Sequence, residues 1–218
     1  MIFTPHDYQS YCINYIKEHP VSALFLSMGL GKTVITLTAV YDLLKECKVS
    51  RVLVIAPLRV ARDTWPAEAE KWEHLKGIKI SVIVGNPQER QTAICQKAHV
   101  YIINRENVKY LVEYFENNGS RWPFDMVIID ELSSFKNPQS QRFKWLRRIR
   151  PYVNRWVGLT GTPTSNGLMD LWAEIGILDG GERLGRFIGR YRETYFKPTS
   201  MNPYTGVVYS YMPRPGAE

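Results

Sequence analysis

The run Met28-Gly29-Leu30-Gly31-Lys32-Thr33 holds the residues best suited to chemistry. An apolar run precedes it and a helix-forming run follows. The amides at the helix N-terminus would then point at an anion. Gly31 lets the backbone approach a phosphate, Lys32 would reach the β and γ phosphates of a nucleoside triphosphate, and the Thr33 hydroxyl would ligate Mg²⁺. Leu26 stands where the first glycine of GxxxxGK(S/T) would fall, and Gly29 supplies the flexibility of the turn instead.

A second group lies about a hundred residues on. Met126-Val127-Ile128-Ile129 is an apolar run that ends in Asp130-Glu131. Carboxylates at the C-terminal end of a strand face the crevice where α/β proteins bind ligands. Asp130 would hold Mg²⁺ through its water shell, and Glu131 would orient or deprotonate an attacking water. An acidic pair after a strand also serves as a helix cap, and it is the pairing with Lys32-Thr33 that gives it weight. A third run, 156–159, enters Thr160-Gly161-Thr162-Pro163. Small hydroxyl residues there would sense the γ phosphate, although the tetrapeptide is also rich in turn formers. Gln9 has an amide able to pair with the donor and acceptor on the N6/N7 edge of adenine, which would select ATP.

These residues need a scaffold, and the sequence outlines one. Short apolar runs at 23–26, 51–56, 79–84, 100–103, 126–129 and 155–159 alternate with helical candidates at 33–46, 61–73, 88–96, 105–115 and 140–149. Buried strands alternating with helices predict an α/β fold with a mostly parallel sheet flanked by helices. The texture changes later. Residues 169–178 read as helical, 183–195 are mixed basic and aromatic, and the segment from 196 reads as a hairpin or extended appendage.

The 218 residues are 44% hydrophobic and 22% charged, which allows one large domain with a real core. The formal net charge of +7 favours a polyanionic partner. Cys12, Cys47 and Cys95 have no CxxC spacing and read as small apolar residues in a reducing compartment. There is no basic n-region with an apolar stretch at the N-terminus, and no run approaches the roughly 20 apolar residues of a membrane span. The expectation is a soluble, cytoplasmic chain with no membrane partner. The aromatic residues Trp65, Trp72, Trp145, Trp156 and Trp172 sit in apolar periodic segments and read as core.

The motifs and their order resemble the first RecA-like domain of SNF2-type superfamily 2 helicases and translocases, and more closely the SNF2-like helicases of bacteria and their phages. The residues that carry the resemblance are Tyr8-Gln9, MGLGKT at 28–33, IAPLRV at 55–60, INR at 103–105, DELS at 130–133 and LTGTP at 159–163. The resemblance implies an ATPase driven by double-stranded DNA, read without sequence preference, with ATP and Mg²⁺ at the motor site. Residues 28–33 and Gln9 would bind nucleotide, with Lys32, Asp130 and Glu131 catalytic and Thr33 and Asp130 on the metal. Arg59, Asn104 and Arg105 fall on the family's DNA-contacting positions, with Pro57, Leu58 and Val60 beside them. Thr160, Gly161 and Thr162 match its coupling motif. Ser133 stands where His or Asp closes the family's acidic box, and Leu26-Ser27 replace an acidic pair.

The resemblance divides the chain into a RecA-like domain at 1–180 and an extension at 181–218. It also implies a second RecA-like domain, in the same or another chain, with an arginine finger. Nothing after Glu218 corresponds to it, so the expected activity is ATP binding with little turnover. The alternative is a nucleotide-dependent DNA- or protein-binding module without motor work. A small-molecule kinase would need an arginine-rich lid, and a GTPase an NKxD-like motif; neither pattern is present. The basic run Arg142, Lys144, Arg147, Arg148 and Arg150 reads as a solvated or docking face ahead of a DNA contact.

Overall fold

The apolar runs at 52–56, 100–104, 126–129 and 156–160 are buried on both faces, and that dictates a central sheet with helices on either side. The protein is described by a computed structural model over residues 1–164 and 167–217. In chain order the elements are α1 (Asp7–Glu18), β1 (Val21–Phe25), α2 (Lys32–Lys45), β2 (Val52–Ala56), α3 (Trp65–Lys71), β3 (Ile80–Ile83), α4 (Pro87–Cys95), β4 (Val100–Asn104), α5 (Val108–Asn117), β5 (Met126–Asp130), α6 (Gln141–Ile149), β6 (Arg155–Thr160), α7 (Leu171–Asp179), α8 (Ile188–Tyr195), β7 (Phe196–Met201) and β8 (Val208–Pro213).

The first six strands form one sheet in the order β1-β6-β5-β2-β4-β3, with every neighbouring pair parallel. Successive side chains of a strand point to opposite faces. In β2, Leu53 and Ile55 therefore join the core formed with α5, α6 and α7, while Val52, Val54 and Ala56 join the one formed with α1, α2 and α3. All of these are fully buried. Each apolar run expected to be a strand is one, with ends shifted by a residue or two.

Gly158 shows why one strand position must lack a side chain. A Cβ there would lie 2.7 Å from Leu132 Cδ2 and 2.9 Å from Leu178 Cδ1. Its absence lets α7 and the turn after β5 press onto β6.

Two helical expectations differ in detail. The run at 61–73 opens as a π-helical turn, Val60–Thr64, and α3 ends at Lys71 because Trp72 takes an extended conformation. The run at 105–115 begins as a 3₁₀ turn, Arg105–Asn107, before α5. Trp65 and Trp156 are fully buried, and Trp72, Trp145 and Trp172 pack against the core clusters. No helix among the described residues is long and apolar enough to cross a membrane.

After α8, β7 and β8 pair with each other as an antiparallel hairpin, separate from the large sheet. This is the appendage expected from residue 196.

Candidate nucleotide site

The parallel sheet brings the three motifs to its carboxyl edge. β1, β6 and β5 are adjacent, with Phe25 opposite Thr160 and Asp130 opposite Leu159. Residues far apart in sequence thereby leave the sheet side by side.

Beyond β1, the Leu26 amide still donates to Thr160 O at 3.1 Å, and then the chain turns. Gly29 (φ +83°) and Gly31 (φ +76°) both take the left-handed region, and Gly31 caps α2. Side chains are disfavoured there, and a Cβ on Gly31 would also sit 2.8 Å from Gln9 Nε2. The first-turn amides of α2 have no helical acceptor, which suits the loop to an anion. The Lys32 ammonium folds back into the loop, donating to Leu26 O at 2.8 Å and Ser27 O at 3.2 Å.

Gln9 is buried behind the loop. Its Oε1 accepts from the His6 amide at 3.0 Å and its Nε2 reaches Leu30 O at 3.5 Å. The amide thus caps α1 and braces the loop at once. Tyr8 adds a second brace, its hydroxyl donating to Leu30 O at 3.2 Å. A cleft of about 740 Å³ opens here, lined by Gln9, Gly29, Lys32 and Thr33 on one side and by Phe3 and Trp72 on the other. Phe3 meets Trp72 edge-on with centroids 5.1 Å apart, giving an apolar wall suited to a flat ring. Phe3 precedes every motif in the sequence, so no pattern marks it.

At the end of β5, Asp130 Oδ2 accepts from Trp65 Nε1 at 2.8 Å. Burial pushes the Asp130 carboxyl above the usual carboxylate range. The charge of Glu131 adds to this, while the Trp65 hydrogen bond and the Lys32 charge oppose it. Glu131 itself is one of two non-glycine residues at positive φ among the described residues, at +63°. Such strain clusters at functional sites. Ser133 Oγ donates to Glu131 Oε1 at 2.5 Å and so fixes the strained residue's carboxylate. That gives a local role to the position where the sequence departs from the acidic box.

Thr160 is fully buried, and its Oγ1 accepts from the Thr162 amide at 3.1 Å. A Cβ on Gly161 would lie 3.4 Å from Leu26 O and 3.7 Å from the Met28 amide. This segment therefore abuts the phosphate-loop backbone.

The predicted DNA-contacting residues leave the same edge from β2 and β4, where Ala56 lies opposite Asn104. Arg59 is open to solvent. Asn104 is buried; its Nδ2 donates to Glu106 Oε2 at 3.0 Å and its Oδ1 accepts from Asn107 Nδ2 at 2.7 Å. Arg105 Nε donates to Glu106 Oε1 at 2.8 Å. Asn104 thus holds the turn that presents Arg105. In the basic run of α6, Arg148 pairs with Glu116 at 2.7 Å across to α5.

One residue near the site was not singled out from sequence. Glu174, on α7, is fully buried, and neither carboxylate oxygen has a hydrogen-bond partner among the described residues. Burial raises its pKa to about 8, with Asp170 and Glu131 adding and Lys136 opposing.

A parallel sheet in this order, with a glycine-rich loop opening α2 and a strand-end Asp-Glu pair beside it, defines a RecA-like P-loop domain. The SNF2-related domain family matches residues 11–180, and the chain belongs to that family. It is 42% identical over 202 residues to protein p41 of Acyrthosiphon pisum secondary endosymbiont phage 1, covering 89% of this chain and 43% of that protein. It is 31% identical over 166 residues to the DNA excision repair protein ERCC-6-like of Mus musculus, covering 72% of this chain and 13% of that one. The Sulfolobus solfataricus SWI2/SNF2 ATPase core in complex with dsDNA superimposes with a TM-score of 0.73 at 23% identity, over 88% of this chain and 39% of that chain. The chain spans less than half the length of each of these.

Proposed function

We propose that the chain is the ATP-binding lobe of a DNA-dependent ATPase, which hydrolyses ATP to drive movement on duplex DNA once a second RecA-like lobe completes it. Residues 1–180 form the lobe in this reading, and 181–218 extend toward its partner. The reading is carried by the meeting of three segments at one sheet edge: the loop with Lys32, the strained Asp130-Glu131 turn, and Thr160-Gly161-Thr162 packed on the loop. The family, which implies nucleotide use, and the similarity to phage protein p41 support it. So does the similarity to an ATPase core solved with dsDNA. A cytoplasmic setting, bacterial or in a phage-infected host, goes with it.

The residues fit a triphosphate and Mg²⁺. The left-handed glycines open the cradle, and the Lys32 ammonium sits on carbonyl oxygens that phosphate oxygens would replace. Thr33 and Asp130 would hold Mg²⁺, whose bound charge neutralises the developing phosphate charge. Burial disfavours the ionised form of Asp130 that this needs, while the Trp65 indole favours it and keeps the carboxylate oriented. Glu131 orients the attacking water and accepts its proton. Gln9 reads the adenine edge, with Phe3 and Trp72 as the apolar wall. Thr160 to Thr162 pass the state of the loop on through α7, and Arg59 and Arg105 contact the DNA backbone.

Phosphoryl transfer relies on positioning and charge, and a finger arginine contributes about 10³–10⁵ in rate. The test is ATP binding and hydrolysis by the purified chain, with and without duplex DNA, beside Lys32→Ala. Lys32-dependent binding with little turnover is expected. Brisk DNA-stimulated hydrolysis by the chain alone would sink the half-motor reading, and nucleotide binding of native strength in Lys32→Ala would sink the site.

A further inference from the structure

Phe3 and Trp72 line the nucleotide cleft, and His74 packs against the first of them. The His74 and Phe3 rings are stacked, with centroids 5.4 Å apart and planes 15° from parallel. Tyr41, on α2, meets the same imidazole edge-on at 6.3 Å. The backbone holds these segments together as well, because the Glu73 amide donates to Met1 O at 2.9 Å. Residues 1–3 are thereby laid beside the end of α3. Trp72 is itself fixed there, its Nε1 donating to Glu68 Oε2 at 2.7 Å.

The edge of the imidazole is committed too. His74 Nε2 lies 2.9 Å from Thr38 Oγ1, and that hydroxyl lies 2.7 Å from Val34 O, one turn back in α2. A hydroxyl has one proton and the shorter contact takes it, so Oγ1 accepts from His74 Nε2–H. Burial lowers the His74 pKa, with Asp42 opposing and Lys45 adding, and the ring is neutral near pH 7. The neutral ring is then held in one orientation by its edge on Thr38 and by its face on Phe3. α2 is the helix that opens with Lys32-Thr33. One side chain therefore connects the phosphate helix to the aromatic wall of the cleft.

We propose that His74 is a positioning residue for the nucleotide base: it sets Phe3 as the face on which a flat purine ring stacks, and it ties that face to α2. The ribose bounds the distance between the base and the triphosphate of one nucleotide. A wall tied to the phosphate helix keeps the two binding ends in step, so that both are filled by one ligand. The inference rests on the ATP reading above and assigns the residue that governs its base-dependent part. His74 touches neither phosphate nor metal in this role; it acts through Phe3.

The experiment titrates Mg–ATP and Mg–tripolyphosphate, which has no base, into the full 218-residue chain and its variants. His74→Ala is expected to weaken ATP binding about tenfold and leave tripolyphosphate binding unchanged. Thr38→Val removes the tie from one side, and His74→Phe removes it from the other while keeping a ring on Phe3. Each should weaken ATP binding about threefold. Combining these two should weaken it no further, because both remove the same bond. Thermal denaturation checks that the variants fold; if His74→Ala does not, Thr38→Val and His74→Phe are judged by the same two ligands. Loss of tripolyphosphate binding in step with ATP would make His74 a prop for the fold and overturn the proposal. ATP binding of native strength in the variants would overturn it as well. A native chain that binds ATP no better than tripolyphosphate overturns it but leaves the Lys32 phosphate site standing. A native chain that binds neither ligand overturns both.

Discussion

The carboxyl edge of the large sheet and the β7–β8 hairpin handle polar groups in opposite ways. At the sheet edge nearly every functional group has an internal partner. Lys32 rests on two carbonyls, Gln9 on the His6 amide, Asp130 on Trp65, Glu131 on Ser133 and Asn104 on its own turn. On the hairpin, Lys197 and the tip tyrosine face solvent without partners among the described residues. A buried group left unpaired is destabilising by about 1–3 kcal/mol, so groups in a cleft must be satisfied before a ligand arrives. Exposed groups carry no such penalty. A group satisfied inside a cleft exchanges partners on binding, while an exposed group simply adds one.

The largest expected effect is at the phosphate loop. Lys32→Ala should weaken nucleotide binding on the order of 10²-fold, by analogy with removal of one preorganised donor, as read by calorimetric titration. Wild-type affinity in the variant would break the sheet-edge half of the comparison.

Glu174 is the exception at that edge, buried without a partner, and it sharpens the contrast. Its folded pKa of about 8 lies above the usual 4.5, so the folded state keeps a proton that the unfolded chain loses. Its contribution is fully present below about 4.5 and is lost as pH rises toward 8. Glu174→Gln should abolish this, so that the variant gains on the native chain by roughly 1 kcal/mol per pH unit across the window. Denaturant unfolding from pH 5 to pH 9 measures it. Parallel pH profiles for the two proteins would contradict the account.

Trp65→Phe removes the donor to Asp130 together with part of a fully buried ring. It should destabilise the fold by about 1–3 kcal/mol. It should also drive the Asp130 carboxyl further above its ordinary range. With Asp130 holding Mg²⁺ as proposed, the ionised form is required, so the acid limb of Mg²⁺-dependent nucleotide binding should move to higher pH. An unchanged limb would mean that the indole only fills space.

The smallest effect belongs to the hairpin. Tyr204→Ala should leave stability within about 0.5 kcal/mol of the native chain, as read by denaturant unfolding. A large loss would show that the tip packs on something, and the two regions would no longer be opposites.

Much of the sheet edge was legible in the sequence. β2, β4 and β5 are buried on both faces and read as unbroken apolar runs, and the motifs sit at strand ends, where glycine or acid interrupts those runs. The order of the strands is not written in any one segment. The same is true of the bond from Trp65 to Asp130, which joins α3 to β5 across 65 residues. Glu174 looks like a solvent-facing acid in an apolar helix. It is buried because Gly158 lets α7 approach β6, a fact of packing rather than of pattern. Gln9 was read for adenine, and its work as a cap and brace depends on α1 folding against the loop. The hairpin was legible as a change of texture, but the form of its tip comes from the two amides that Asn202 collects.

The central claim is that the Lys32 cradle binds nucleotide. The most direct measurement is calorimetric titration of Mg–ATP into the native chain and into Lys32→Ala, side by side. Saturable binding by the native chain, weakened on the order of 10²-fold in the variant, is the expected result. Equal binding by both, or no binding by a folded native chain, would contradict it.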